Sequence, residues 1–530
     1  MQKYGFCGMM QKKKFKHTIQ SFFPVLFSFF LIILCLLYGS TLPYVGYNAW
    51  NYNIYTLIAH NYIQFGFLPT LFSPIISVQE TLPSAPLYYL NHPPLLSLGI
   101  ALIFTLFGES FFSGRLISLI AALSSSVLLY LIARLIVDRV YASIVVVCLS
   151  VIPASIVFGK MIGQESLVLC FALLSVYSFL LYAKSKSLTW MIIFFLSGVL
   201  GTVTDWPMIY FALCMQPFFF YKKQKKLGLL FLTVTICSGF CYMVYASMLQ
   251  GDLNFLYNGF LNRSVGNLIV QGDWVYLWFL TQSTRLFLYF NPFLVLFSVW
   301  YFIKETRRKS EMSCLVFSLL SFGLLHVLLY PEGSYGHPYW LYYLLPSILF
   351  SSAYVVMKYL RRKWIFFVAA LVLSYLYFFI VIDWKVNETK GNMFRYELAR
   401  IASENIPDYA SIAVNRKGII DPDIFQFGFR HHTFILEDDQ VDFAGKEIAA
   451  IVYSCRTACD KENTLFRHLK NKFNGVVYKS KDFEMWVFEG KMTGVGLRTV
   501  HIDIASPKST RSLFSKLYLG FLRISSAPQL

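Results

Sequence analysis

The sequence predicts an α-helical polytopic membrane protein of about eleven spans, followed by a small α/β domain. Three observations predict it. Hydrophobic residues make up 57% of the 530 positions and charged residues only 14%, far from the mixture of a soluble domain. Apolar runs long enough to cross a bilayer recur from residue 20 to residue 383,. From residue 384 the texture changes to alternating strand-like and amphipathic helical stretches,.

The expected spans lie at about 20–40, 113–133, 140–158, 165–183, 188–203, 207–221, 227–247, 276–303, 312–330, 338–357 and 364–383,. The first has no small-residue cleavage site and is followed by further spans, so it reads as a retained helix and not as a removed signal peptide. The formal net charge of +18 does not mark a nucleic-acid binder. Its basic residues sit in every second connection: Lys12–Lys14, Arg134 and Arg139, Lys184 and Lys186, Lys222 to Lys226, Lys304 to Lys309, Lys358 to Lys363. That is the positive-inside pattern of cytoplasmic loops.

The alternation fixes one ambiguity. If 92–108 (HPPLLSLGIALIFTLFG) crossed the bilayer, every later basic loop would move outside while the Lys-rich N-terminus stayed inside,. The segment is therefore expected as a helix at the outer surface. The organisation that follows is a cytoplasmic N-terminus over 1–19, a transmembrane domain over 20–383 with its first outer loop at 41–112, an extracytoplasmic α/β domain over 384–490, and a basic, interfacial tail over 491–530.

Within 384–490, MFRYELARIASENIP and ENTLFRHLKNKF read as helices, ASIAVN and EIAAIVYS as buried strands, and GVVYKS with FEMWVFEG as a final strand pair,. Cys455 and Cys459 (CRTAC) would face an oxidising compartment, where a bridge and two free thiols are both compatible,. The pair lacks the further ligands of a structural zinc site.

Chemistry-bearing residues gather on the expected outer face: Glu165, Asp205, His92, Arg263, Arg285 and His337. Carboxylates there could act as bases, and Arg or His could hold phosphate oxygens. Each has a structural alternative. Glu165 suits a helix dipole, Asp205 before Trp206-Pro207 suits an N-cap, His337 a helix start and Arg263 a lipid headgroup. The aromatic run YWLYY is expected as an interfacial belt.

The order of these pieces resembles the GT-C membrane glycosyltransferases of the protein mannosyltransferase and aminoarabinose transferase type (glycosyltransferase family 39). YNAWNYNIYTLIAHNYIQFG (47–66) resembles that family's first outer loop, which typically reads Asp-Glu-x-x-Tyr. YYLNHPPLLSLGIALIFTLFG followed by Arg115 resembles its juxtamembrane helix and second span, FGKMIGQESLVL its acid-bearing second outer loop, GTVTDWPMIYF an Asp-Trp motif of one branch, and HPYWLYYLLP a later helix start. The resemblance covers about residues 20–385 and implies a GT-C-like fold. It implies transfer of a sugar from a polyprenyl-phosphate donor to a protein, lipid or glycan acceptor outside the cytoplasm. Membrane lipids are then partners and nucleic acid is not, while a divalent metal stays open as cofactor.

Aligned on Tyr55 and Gly66, the family's first-loop Asp falls on Asn51, and Tyr52 replaces the adjacent Glu. Asn cannot accept a proton as a carboxylate does. The resemblance therefore implies a base from elsewhere, Glu165 first and Asp205 second. Asn53, Tyr55, His92, Arg115, Arg263, Arg285 and His337 are the implied substrate contacts, with His92 standing where relatives can carry Lys before Pro. The competing classes are a lipid-linked glycan flippase, which would carry charges within its spans, and a catalytically inactive family member acting as a partner.

Overall fold

The computed structural model describes residues 23–46, 49–252, 254–264, 274–305, 310–360, 364–415, 421–436, 448–456, 464–480, 482–489 and 497–501. The expected cytoplasmic N-terminus 1–19, Cys459 and residues 502–530 of the expected tail lie outside the described residues. The chain divides into two compact units, residues 1–40, 90–96 and 115–385 forming one, and residues 41–89, 97–114 and 386–530 the other.

The first unit is a helical bundle of a multi-pass membrane protein. Among the described residues six helices are long and apolar enough to cross a bilayer, or seven if one bent pair counts as a single span. Phe111–Ile136, Gln164–Ser185, Lys225–Gln250 and Glu311–Leu329 follow the expected spans closely. The stretch expected as one span at 276–303 instead bends by 111° between Trp274–Phe290 and Pro292–Lys304. The cause is local. Asn291 takes a positive φ of 68°, its Oδ1 accepts from the Phe293 N–H, and Pro292 opens the next helix,. The stretch at 207–221 is likewise two pieces, Pro207–Cys214 and Gln216–Tyr221.

Helix interfaces in this unit are set by small residues. A side chain at Gly198 would meet the Phe231 ring, and one at Gly228 the Phe219 ring. Phe194 stacks on Phe231 with centroids 4.2 Å apart, so the glycine faces allow close helix–helix approach. YWLYY does not form an interfacial belt. Pro338–Leu344 is a 3-10 turn whose residues are all buried, because the tight turn directs them into the bundle interior.

The second unit joins the first outer loop to the C-terminal domain. The loop is helical over Ala49–Phe65 and again over Leu95–Phe107, and Val45 belongs to the same apolar core as Phe394, Leu398, Ile412, Phe425 and Met485. Apart from residues 90–96, which group with the spans, the first outer loop thus groups with the α/β domain. His60 Nδ1 lies 2.6 Å from Glu109, and Arg430 Nη2 lies 2.9 Å from the other Glu109 oxygen. The helix beginning at Trp364 runs without a break to Ser403, merging the last expected span with the expected MFRYELARIASENIP helix.

The sheet is mixed, ordered β2-β1-β3-β5-β4-β6, with β1 Ser411–Asn415, β2 His432–Leu436, β3 Ala450–Arg456, β4 Gly475–Lys479, β5 Phe483–Glu489 and β6 Leu497–His501. β1 is parallel to β2 and β3, while β5 is antiparallel to β3 and β4. The expected strands β1, β3, β4 and β5 form as read. β6 pairs parallel with β4, so the domain runs past residue 490 into what reads in sequence as tail. Cys455 is disulfide-bonded.

Candidate functional site

The polar centre of the helical bundle is built on the turn 90–94 and on the junction at 205. His92 precedes two prolines, which bias it to an extended backbone and end the turn before helix Leu95–Phe107. Two side-chain donors pin this turn: Trp206 Nε1–H donates to Asn91 O at 2.9 Å, and the Tyr242 hydroxyl lies 2.9 Å from both Leu90 O and His92 O. Asp205 is the extended residue between helices Leu188–Thr204 and Pro207–Cys214. It is not the N-cap that its sequence suggests. Its carboxylate reaches across 113 residues to His92, with Nδ1 to Oδ1 at 2.8 Å, while accepting from the Trp206 N–H at 2.9 Å.

Arg263, in the last turn of Asn254–Ser264, closes the group. Its Nη2 lies 3.3 Å from His92 Nε2. A guanidinium only donates, so Nε2 carries a lone pair and Nδ1–H donates to Asp205. Burial alone would raise the Asp205 carboxyl, but its interaction with the His92 ring outweighs that and holds the group below the ordinary carboxylate value,.

Glu165 lies in the first turn of Gln164–Ser185 and is buried. Gly163 ahead of it leaves room for Oε2, which any side chain there would strike. That oxygen has no hydrogen-bond partner among the described residues. Asp205 and Arg263 are the charged side chains that act on Glu165. The structure therefore brings Glu165, Asp205, His92 and Arg263 into one electrostatic group.

The other candidates are placed differently. Arg285 donates to Ser334 O at 2.8 Å, and His337 Nδ1 meets the Tyr339 hydroxyl at 2.9 Å. Burial, with Arg263 and Arg285 adding to it, pushes the His337 imidazole down to about 4,. Arg115 is buried and donates to Ser40 O at 2.7 Å, holding the chain just after the first helix. Asn51, Asn53 and Tyr55 belong to the second unit on Ala49–Phe65. There Asn53 donates to Tyr44 O, and Tyr55 packs edge-on to Tyr89. Among the described residues no three His, Cys, Asp or Glu side chains group as metal ligands.

Sequence reading missed a second ring of residues. His326 is buried and packs against Trp340, Tyr343, Tyr330 and Tyr210, with centroids 4.8, 5.1, 5.8 and 6.3 Å away. It interacts electrostatically with Asp205, Arg263 and His92. The available signal was an ionisable residue inside an apolar run, LLHVLL,.

Comparison with known proteins agrees with this architecture. Residues 91–246 match the family model of dolichyl-phosphate-mannose-protein mannosyltransferases. No curated protein sequence matches the chain. Among solved structures, ArnT from Cupriavidus metallidurans in the apo state superposes with a TM-score of 0.57 at 11% identity, covering 90% of this chain and 98% of its own. The same protein bound to undecaprenyl phosphate gives 0.56 at 13%, covering 88% and 97%. The archaeal oligosaccharyltransferase AglB from Archaeoglobus fulgidus, in complex with an inhibitory peptide and a dolichol-phosphate, gives 0.54 at 12%, covering 89% and 74%. The chain thus has the GT-C fold of membrane glycosyltransferases. Residues 91–246, the segment that matches the mannosyltransferase model, hold His92, Glu165 and Asp205.

Proposed function

We propose that the protein is a glycosyltransferase that moves a sugar from a polyprenyl-phosphate donor to a hydroxyl of a protein, lipid or glycan outside the cytoplasm. The observation that carries this reading is the His92–Asp205–Arg263 group beside the buried Glu165. Arg263 is the phosphate contact, since a guanidinium matches phosphate oxygens in a bidentate fork and stabilises the charge that builds on the leaving group. Arg285 holds the neighbouring corner at Ser334,. Two groups are then able to take the acceptor proton, the Glu165 carboxylate and the His92 imidazole. The likeness to a structure holding undecaprenyl phosphate supports the donor class. The alternating basic connections support a cytoplasmic N-terminus and an extracytoplasmic α/β domain.

The test is reconstitution in vesicles with radiolabelled polyprenyl-phosphate pentoses and hexoses. Wild type should transfer or hydrolyse at least one of them, and Arg263→Ala should raise the donor KM more than tenfold. Binding and flipping of donor with no cleavage of any sugar–phosphate bond would refute the reading.

A further inference from the structure

We infer that His92 is the acceptor base of this enzyme and that Asp205 is its positioning residue, together replacing the carboxylate that Asn51 lacks. The inference rests on the glycosyl-transfer reading above and assigns the proton within it.

The geometry fixes the imidazole in one state. Nδ1 faces the Asp205 carboxylate at 2.8 Å, and Nε2 faces a guanidinium nitrogen at 3.3 Å. A carboxylate accepts and a guanidinium donates, so the ring holds its proton on Nδ1 and presents the Nε2 lone pair. A histidine whose inner nitrogen donates to a buried carboxylate is oriented, fixed in tautomer and ready to become an imidazolium. Asp205 is itself held by the Trp206 N–H, and the His92 backbone by the Tyr242 hydroxyl. Neither partner has to search for its place.

The alternatives fit less well. Asp205 accepts from both His92 and the Trp206 N–H on Oδ1, an arrangement that suits it to support a base. The Glu165 carboxylate sits in the first turn of a spanning helix, with its unpartnered oxygen sealed from solvent. Asn51 has no group that accepts a proton. His92 is the more open of the dyad, its side chain 14% exposed against 8% for Asp205.

Arg263 turns from Nε2 to the donor phosphate. The acceptor hydroxyl gives its proton to Nε2 as its oxygen bonds to the anomeric carbon. The bond from that carbon to the phosphate oxygen breaks, and its electron pair leaves with polyprenyl phosphate. The imidazolium, neutralised in part by Asp205, then returns the proton to the departing phosphate or to water. Among the charged and titratable groups that act on this ring are Asp205, Arg263, His326 and His337.

The test uses full-length protein in vesicles with whichever labelled polyprenyl-phosphate sugar wild type cleaves, read as kcat, donor KM and equilibrium binding of undecaprenyl phosphate. His92→Gln keeps a donor toward Asp205 but has no base. It should bind undecaprenyl phosphate within about threefold of wild type while kcat falls by about a hundredfold to ten-thousandfold. Asp205→Asn should lower kcat with little change in KM. Imidazole added to His92→Ala should restore turnover in proportion to its free-base concentration, a response that a structural role would not give. Wild-type turnover in His92→Gln overturns the inference. So does lost undecaprenyl-phosphate binding in that variant, which would make His92 a phosphate ligand, or failure of imidazole to rescue a folded His92→Ala. If wild type itself cleaves no donor, the transferase reading fails first.

Discussion

Removing the Tyr242 hydroxyl tests whether the placement of His92 matters to the chemistry. In Tyr242→Phe the ring remains against Trp206, where the two now lie with centroids 5.6 Å apart, but the hydroxyl that lies 2.9 Å from Leu90 O and His92 O is gone. One buried neutral hydrogen bond is worth about 1 kcal/mol net, or about fivefold in rate if all of it serves to hold the ring in line. Trp206→Phe removes a second such bond, to Asn91 O at 2.9 Å. If the two act independently, the pair multiplies to about 25-fold in kcat. They pin adjacent residues of one turn, so the double variant should fall short of that product. The assay is steady-state transfer from a labelled polyprenyl-phosphate sugar, with kcat and donor KM separated. The expected result is a loss in kcat at nearly unchanged donor KM. A Tyr242→Phe protein with wild-type kcat, or one whose loss lies entirely in KM, would refute the idea that this turn presents His92.

Three further outcomes follow from the packing. Glu305 is 2% exposed and meets Lys358 Nζ at 2.5 Å and the Tyr359 hydroxyl at 2.6 Å; Lys358→Met, which strands a buried charge, should cost about 3–5 kcal/mol, and Glu305→Gln in the same chain should recover part of it, both read by thermal unfolding in detergent. A Cβ at Gly333 would overlap the Trp340 ring, which itself packs on His326, so Gly333→Ala should lower stability by about 1–3 kcal/mol, and an unchanged melting temperature would show that the ring can move. Burial would raise the Glu109 carboxyl, but His60 and Arg430 outweigh it and hold it below its ordinary value. Its contribution is therefore complete above about pH 4.3 and lost as pH falls through the depressed folded value. Because Glu109 is 36% exposed the energy is small, yet amide exchange of Ala49–Phe65 should quicken on acidification in wild type and show no such step in Glu109→Gln.

Much of the fold was legible because hydropathy measures what a bilayer demands. Gln164–Ser185 and Glu311–Leu329 lie within one or two residues of their expected ends, since loss of apolar character marks both where a span stops. What stayed hidden depended on one residue or on a distant partner. The bend at Asn291 turns on a single positive φ inside an otherwise continuous apolar run. β2 and β6 are short flanking strands, visible only through their pairing with β1 and β4. The belt reading of YWLYY failed because aromatic residues near a span end look alike in sequence whether they face headgroups or, as in Pro338–Leu344, the protein interior,.

The site was legible as a set of residues and not as an arrangement. Sequence placed His92, Glu165, Asp205 and Arg263 in separate segments, and only folding joins His92 to a carboxylate 113 residues away. That contact changes what each residue can do. A lysine before Pro93 could grip a phosphate but, as an ammonium, could not take a proton. A histidine there could do either, and its neighbours decide which. With a donor at Nε2 and an acceptor at Nδ1 the ring enters the reaction as a base. A ring kept as imidazolium would instead face Arg263 as a like charge. The same sequence that gives up a carboxylate at Asn51 therefore carries, at His92, a group able to do the work that carboxylate would have done, and the orientation of Asp205 gives that exchange its chemical sense.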